Sequence, residues 1–298
     1  MATYTTYDQV GKKEDVSDII TDISPLATPM FTLMKTEKVQ ARVFEWQEDA
    51  IRASNSDNAI IEGADATMST LVATTMRSNT TQIMEESFQV SKTADAIATY
   101  GRAKETAHQL SKSLKAIKKD VEAAFVGRNQ AAVTGAAGNS PAARKMASLI
   151  NQISTAVDAG GNANDPLTEA KLLEAGETAY TNGSDVNTFM IKPGDAQIVA
   201  GFAGSAGRNR EIAQGKTLVN AIDLYVSPYG EYRVVLNREL ATDHALLVDP
   251  SMFKTAVLRP FARTLLAATG DSDKHSIVGE YSCKHMNFGD SVKITGLS

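Results

Sequence analysis

The chain has 298 residues, of which 43% are hydrophobic and 22% are charged, and its formal net charge is −5. These values are typical of soluble globular proteins, and the negative charge excludes a nucleic-acid binder that works through an overall basic surface. The single cysteine excludes an intrachain disulfide and favours a reducing compartment, and neither a secretory signal nor an apolar run long enough for a membrane span is expected. Aromatic residues make up only 6%, which favours a thin protein that needs neighbours to complete its burial.

The first 35 residues predict an extended arm. Pro25 and Pro29 lie in the apolar run ISPLATPMFTLM, and each disfavours helix in the residue before it. The arm carries apolar side chains that need a surface to dock on: Ile23, Leu26, Met30, Phe31 and Leu33. That surface belongs either to another molecule or to the chain's own domain, and the sequence does not choose between them.

Residues 36–90 predict a long two-stranded projection with a polar tip. The runs VQARVFEWQ (39–47) and TTMRSNTTQIMEESFQV (74–90) are rich in β-branched and aromatic residues. The stretch between them is too long for an ordinary turn inside a compact domain. Because an isolated two-stranded ribbon is only marginally stable in water, we expect it to lie against another surface.

Apolar or small residues at alternating spacings of four and three predict one long helix from Thr93 to Gly127, and Gly127 is expected to end it in the left-handed conformation. The predicted seam consists of Ala103, Ala107, Leu110, Leu114, Ile117, Val121 and Ala124. Because this seam is short and Ala-rich, the helix is expected to lie on its own sheet rather than in a coiled coil. A connector of small residues (131–143) and a short helix (145–155) follow.

The second half predicts a helix followed by a β-rich region, so the fold class is α+β. The helix is expected to begin with Asp165 as cap and Pro166 at its first position, and to end at Asn182-Gly183. A strand (187–192), a helix to Phe202 and a glycine-rich loop come next. The last third contains further strand candidates: 221–227 and 231–238 as a hairpin, then HALLVDP, FKTAVLRP, SIVGEYSCKHM and SVKITGL.

Two segments carry incomplete catalytic motifs. The tripeptide GKT (215–217) matches the end of a phosphate-binding loop, but Arg210 stands where that motif requires its first glycine. Ser205 lies in AGSAG, which misses the nucleophile-elbow pattern because Ala203 replaces the first glycine. Both segments are therefore interpreted as loop sequence.

Potential metal ligands and paired carboxylates are equally incomplete. Cys283 and His285 would share one face of a strand, and His275 is close in sequence, but no second cysteine or carboxylate stands at ligand spacing. A buried or edge cysteine beside surface histidines is the favoured interpretation. Glu85 and Glu86 point to opposite faces of a strand and do not form a catalytic dyad. The sequence therefore predicts no catalytic, cofactor-binding or metal-binding residues.

Charge is distributed unevenly along the chain. Residues 45–65 have a local charge of −5, from Glu45, Glu48, Asp49, Asp57, Glu62 and Asp65 against Arg52. Residues 92–128 have a local charge of +4, from Lys92, Arg102, Lys104, Lys112, Lys115, Lys118, Lys119 and Arg128 against Asp95, Glu105, Asp120 and Glu122. An acidic projection and a basic helix suit head-to-tail docking between copies, and the alternative is that both are solvated faces.

Several runs, in this order, resemble the major capsid proteins of tailed bacteriophages: SPLATPMFT, FEWQEDAI with EGADAT, RSNTTQI, SKTADAIATYGRAKETAHQL, KKDVEAAFVGRNQ, VSPYGEYRVVLNREL and VDPSMFKTAVLRPF. The resemblance covers nearly the whole chain. It implies the shell fold shared by tailed phages and herpesviruses. Its parts would be an N-terminal arm (1–35), an extended β-hairpin loop (36–90), a peripheral domain with a long spine helix (91–160, completed by 252–298) and an axial domain (161–251).

The resemblance implies a non-enzymatic virion protein, made in the host cytoplasm, that self-assembles into hexamers and pentamers of an icosahedral head around double-stranded DNA. The hairpin of one subunit would overlie its neighbour, with Phe44 and Trp46 as apolar anchors. Implied partners are further copies, a separate scaffolding protein, a portal protein, the packaged DNA and a decoration protein, without a membrane. The alternatives are a cellular nanocompartment shell of the same fold and a nucleotide-binding enzyme that uses the 201–217 loop.

Overall fold

A computed structural model of the chain describes residues 27–66, 68, 71–97, 104–136, 141–160, 165–205 and 224–298. The helices within these ranges are α1 Pro29–Leu33, α2 Lys92–Ala96, α3 Glu105–Val126, α4 Leu149–Gln152, α5 Glu169–Thr181 and α6 Ala196–Ser205. The strands are β1 Lys35–Lys38, β2 Val43–Glu48, β3 Thr75–Thr80, β4 Gln82–Ser91, β5 Thr155–Asp158, β6 Thr188–Ile191, β7 Leu224–Ser227, β8 Gly230–Leu236, β9 His244–Val248, β10 Phe253–Leu265, β11 Ser272–His285 and β12 Val292–Thr295.

The described strands form three sheets, and the predicted α+β class is confirmed. One sheet has the order β1-β10-β11-β4, and the long strands β10 and β11 form its antiparallel centre. A second has the order β5-β12-β9-β6-β8-β7, and β2 and β3 pair by themselves. The short parallel pair of β5 and β12 brings distant parts of the chain into the second sheet.

Two buried clusters lie on opposite faces of the six-stranded sheet. The first fills the space between α3 and the four-stranded sheet and reaches Met190 and Leu246. The second lies beneath α5 and α6 and includes Phe189 and Leu247. Because neighbouring residues of one strand point to opposite faces, β6 and β9 contribute to both clusters. The six-stranded sheet is therefore covered on both sides along these strands.

The basic helix differs from its prediction in length and in orientation: α2 ends at Ala96 with Ile97 extended, and α3 begins at Glu105. Ala103 of the predicted seam lies outside the described residues. Its buried side faces β4 and β11, so the prediction that it lies on its own sheet is confirmed. Leu114 is 40% exposed and Ala107 is also exposed, so the predicted seam was wrong at these positions. Gly127 has a φ of −79°, so the left-handed ending was wrong too. Ala-rich spacing does not distinguish neighbouring stripes, and the buried stripe contains two polar residues, Ser113 and Glu122.

The described end of the predicted arm is helical rather than extended. Pro29 occupies the first turn of α1, where the missing N–H of proline removes no helical hydrogen bond. Met30 is completely buried in the cluster beneath α3. At this point the arm docks on the chain's own domain. Leu26 and the residues before it, including Ile23 and Pro25, lie outside the described ranges.

The second-half predictions hold for the strands and fail at one helix start. Thr168 caps α5 by accepting from the Lys171 N–H, whereas Asp165 bridges to Leu297 in the sheet region. Gly183 ends the helix with a φ of +81°, as predicted. The predicted strand (187–192), the hairpin and the four later strand candidates are confirmed as β6 to β12. The short helix predicted over 145–155 is only the single turn α4, followed by β5.

Candidate assembly surfaces

The predicted two-stranded projection is present, but its paired part is short. β2 and β3 are antiparallel from Val43 opposite Thr80 to Glu48 opposite Thr75. The run predicted as one returning strand divides after Thr80, because β4 pairs with β11 in the four-stranded sheet. The projection is therefore a six-residue ribbon that carries a long loop, described at residues 49–66, 68 and 71–74.

Asn79 holds the junction where the ribbon leaves the body. Its side chain is 1% exposed, and its Nδ2 donates to the carbonyl oxygens of Ala147 at 3.2 Å and Cys283 at 2.6 Å. Its Oδ1 accepts from the Ala147 N–H at 2.8 Å. Both the nitrogen and the oxygen of the amide are therefore hydrogen-bonded. Buried polar groups require such partners, because water does not reach them. Sequence reasoning missed this residue, because RSNTTQI is equally consistent with an exposed strand.

A chain of aromatic rings fixes the base of the projection. Trp46 is 9% exposed, and its ring centroid lies 5.7 Å from that of Phe44 and 6.1 Å from that of Phe288. Phe288 is 5.8 Å from His285, which stacks on Phe253 at 4.2 Å. The anchors expected to meet a neighbouring subunit thus contact this chain's own core, and the expectation was wrong for Trp46.

An ion pair crosses the ribbon beside these rings. Arg77 Nε donates to Glu48 Oε2 at 2.5 Å, and the Arg77 guanidinium carbon lies 4.5 Å from the ring centroid of Phe288. Glu48 is therefore neutralised within the chain. The other acidic residues of the projection are exposed: Glu45, Asp49, Asp57, Glu62 and Asp65.

The loop at the end of the projection is not purely polar. Its large apolar side chains are exposed by 74 to 98% at Ile51, Ile60, Ile61, Met68, Leu71 and Val72. Single exposed apolar residues are common, but a concentration of them in one loop marks a surface that becomes buried in an assembly. The polar-tip prediction was correct about the charges and wrong about these residues.

The basic side of α3 is partly compensated by acids of the same chain. Lys119 lies 3.5 Å from Glu239, and Lys104 lies 3.8 Å from Asp95. Lys112, Lys118 and Arg128 are exposed. The helix therefore keeps a basic surface, although a smaller one than the sequence count indicates.

A buried carboxylate joins α3 to two other parts of the chain. Glu122 is completely buried and accepts from the backbone N–H groups of Met30 and Phe31, both at 2.8 Å. Asn237, after β8, donates to the same carboxylate at 2.6 Å. Burial raises the pKa of Glu122, while these three hydrogen bonds act against that rise. In the sequence, Glu122 is one of four acidic residues in the basic segment 92–128, and nothing there predicts its burial.

The cysteine and histidines of β11 lie in the buried interior of the chain. Cys283 and His285 share a face, as predicted, but both are completely buried, and so is most of His275. Burial raises the pKa of Cys283 to about 12 and lowers that of His285 to about 3. The prediction of surface histidines was therefore wrong. No group of three potential metal-ligating side chains occurs among the residues that the structure describes.

The two loop motifs fall outside the part of the chain that can be described. GKT (215–217) lies in the range 206–223, and the side chain of Ser205 is likewise not described. Within the described ranges, no helix is long and apolar enough to cross a membrane.

Residues 2–298 match the family model described as SU10 major capsid protein. The chain belongs to this family. The major capsid protein of Escherichia phage Phieco32 is 29% identical over 330 residues, which cover 95% of this chain and 94% of that protein. The exposed apolar loop of this capsid protein is what a subunit of a shell requires.

Solved structures agree on the fold. The capsid protein of Cyanophage A-1(L) has a TM-score of 0.67 at 12% identity, with 98% of each chain covered. An encapsulin, SrpI from Synechococcus elongatus PCC 7942, has a TM-score of 0.65 at 8% identity, with 100% of this chain and 97% of that chain covered. At such identities the likeness shows the fold alone, and the family match decides for the phage. The predicted capsid fold, the function as a phage major capsid protein and the location in the virion head are confirmed.

Proposed function

We propose that this capsid protein is a non-enzymatic shell subunit that forms the hexamers and pentamers of an icosahedral head around double-stranded DNA. The observation that carries the proposal is the loop of residues 51–72, whose exposed apolar side chains lack cover from the described residues of one subunit. Burying an isoleucine or leucine side chain contributes about 1.5–3 kcal/mol, so the loop alone favours association. Closure of the shell multiplies many such contacts.

In this arrangement the projection of one subunit overlies a neighbour. The exposed acids of the loop, such as Asp49 and Asp65, face the exposed bases of α3, such as Lys112 and Lys118. Complementary charges at the rim of an interface chiefly set orientation and association rate, while apolar burial supplies affinity. The acidic residues of the loop therefore orient it towards the neighbouring subunit, and burial of its apolar residues supplies the affinity.

The division into an arm (1–35), hairpin loop (36–90), peripheral domain and axial domain (161–251) is part of the proposal. It is supported by the packing of α3 against β11, which brings 91–160 together with 252–298. Pairing of β5 with β12 in the six-stranded sheet supports moving these two strands to the axial side of the boundary.

Other proposed partners are a scaffolding protein, a portal protein and a decoration protein. The net charge of −5 suits a container for DNA, because a strongly cationic wall would bind phosphates and hinder packaging. Contact with DNA is therefore expected to be unspecific.

The test compares shell yield for charge variants of the loop, using negative-stain microscopy of protein produced with its scaffold. Asp49→Lys combined with Asp65→Lys should lower the yield without changing the Tm of the unassembled chain. Glu177→Lys, an exposed reversal on α5, is the matched control. Glu48 is avoided because it pairs with Arg77. Normal shells from the double variant would refute docking onto α3, whereas a wild type that remains monomeric beside its scaffold would refute the shell function.

A further inference from the structure

A groove lies beside the root of the projection. It has a volume of about 380 Å³ and is lined by Arg42, Ile83, Arg144 and the small residues of a short ribbon formed by 133–136 and 142–145. This volume lies at the lower end of the range of pockets that bind small molecules. Ile83 is 51% exposed, so the groove offers apolar surface to an incoming segment.

The ribbon that forms one wall is held by its own backbone. Val133 and Lys145 exchange hydrogen bonds at 2.8 and 3.0 Å, and Ala136 and Ala142 at 3.1 and 3.0 Å. Gly135 has a φ of +75°, and a Cβ there would lie 2.7 Å from the Arg144 side chain. The wall therefore requires glycine at position 135, where the Arg144 side chain packs closely against the backbone.

The groove carries an excess of positive charge. Arg144 Nη2 donates to Glu280 Oε1 at 2.5 Å, and Arg259 Nε donates to Glu280 Oε2 at 3.2 Å. Glu280 is 3% exposed, so this one buried carboxylate serves two guanidinium groups. Arg42 is exposed, and its guanidinium has no ion-pair partner among the described residues. An apolar segment with a carboxylate would complement both features.

The loop of the projection contains such a segment. Ile60 and Ile61 are 74% and 82% exposed, and the exposed Glu62 follows them. The Ala64 N–H donates to the Ile61 carbonyl at 3.0 Å, and Gly63 has a φ of +80°. This turn presents two apolar side chains and one carboxylate at a preformed bend.

We propose that the Ile60–Glu62 segment of one subunit occupies the groove of a second copy of this chain, with the isoleucines against Ile83 and the ribbon and Glu62 paired with Arg42. The occupant is a second copy because this segment supplies both the exposed apolar surface and the negative charge that the groove lacks. The inference rests on the proposed overlap of neighbouring subunits and assigns the loop tip a site of its own, distinct from the side of α3.

Disulfide trapping tests the contact in assembled shells. Chains carrying Ile61→Cys and chains carrying Thr134→Cys are produced together, oxidised as shells and separated without reductant. Both positions are exposed, while Cys283 is completely buried, so the wild type should give no dimer. We expect a crosslinked dimer that requires both variants and that is absent from unassembled protein. The comparison pair is Ile61→Cys with Ser111→Cys, which places the second thiol on the exposed side of α3.

The outcomes separate this contact from the broader shell function. A stronger link to position 111 than to position 134, or normal shells with a link to neither, would overturn the groove proposal while leaving the shell function intact. A further control places both cysteines in one chain and oxidises it at high dilution. A disulfide formed within that single chain would also overturn the proposal, because the loop would then reach the groove of its own subunit. If the wild type forms no shells beside its scaffold, the shell function fails and this proposal falls with it.

A charge exchange provides a second readout. Arg42→Glu and Glu62→Arg should each lower shell yield at least about tenfold, because like charges would then face each other across the interface. The double variant should recover most of the yield. Single-variant losses without recovery in the double variant would contradict pairing of these residues, provided that all variants keep the wild-type Tm.

Discussion

The Glu122 carboxylate on α3 accepts a 2.8 Å hydrogen bond from the backbone N–H of Met30, a residue 92 positions earlier in the chain. The first N–H groups of a helix lack partners within the helix, and Thr28 makes no side-chain cap at α1. Glu122 therefore serves as the cap of α1 from another element. Through Asn237 it also ties this joint to the end of β8.

Replacement of Glu122 should destabilise the unassembled chain strongly. Glu122→Gln keeps the shape but loses an acceptor oxygen, so one buried donor is left unpaired at a cost of about 1–3 kcal/mol. Glu122→Ala should cost more, because it leaves all three donors unpaired and opens a cavity. Urea denaturation measures both free energies of unfolding. A loss below about 0.5 kcal/mol for the alanine variant, the level of an ordinary surface change, would contradict the cap.

Truncation of Trp46 should lower the stability of the unassembled chain, whereas truncation of the exposed Ile51 should impair only assembly. Trp46→Ala should cost about 3 kcal/mol, at the lower end for buried aromatic residues, because its stacking on Phe44 and Phe288 is lost. Ile51→Ala, at a residue that is 98% exposed, should change the free energy of unfolding by less than about 0.5 kcal/mol and still lower shell yield. Equal effects of the two variants on unfolding would argue against the aromatic root.

His285 should make the chain less stable in acid. Burial lowers its folded-state pKa to about 3 from 6.5, so the unfolded chain binds the proton more readily. The contribution of the neutral His285 to the free energy of unfolding is fully present above pH 6.5 and is lost as the pH falls towards 3. His285→Phe, which keeps a ring between Phe253 and Phe288, should therefore lose less stability than the wild type between pH 7 and pH 5.

Comparison of the two pH profiles isolates this effect. Burial raises the folded-state pKa of Glu122 and of Asp290, and these carboxyl groups favour the folded state at low pH. Both groups are present in the variant and in the wild type, so they cancel in the difference. If the stabilities of the variant and the wild type fall in parallel between pH 7 and pH 5, protonation of His285 is not the cause of the loss.

The thiol of Cys283 should be unreactive in the folded chain. Its pKa is raised to about 12 by burial, and its Sγ donates to the Ala147 carbonyl at 3.1 Å. Because the thiolate is the reactive form, a thiol reagent such as DTNB should label it only after denaturation. Rapid labelling of the native chain at pH 8 would mean that this part of β11 opens readily.

The local signals of the sequence predicted much of the secondary structure. The two strand-forming runs predicted as a hairpin located β7 and β8, and Gly183 ended α5 as expected. These features depend on neighbouring residues only. The same reasoning misplaced the start of α5, because both Asp165 and Thr168 are suitable caps and contacts of Asp165 with the sheet region decide between them.

The sequence by itself determined the α+β class, the acidic projection, the basic helix and the likeness to capsid proteins, since these depend on residue order and composition. Only the tertiary structure decided that Trp46 packs inward while Ile61 faces outward, and that Glu122 and Asn79 are buried. Burial is set by residues far away in the chain, such as Phe288 for Trp46 and Met30 for Glu122. The sequence around an apolar residue of a two-stranded ribbon is the same whether that residue packs in the core, faces solvent or contacts another subunit. The same holds for a carboxylate on an amphipathic helix.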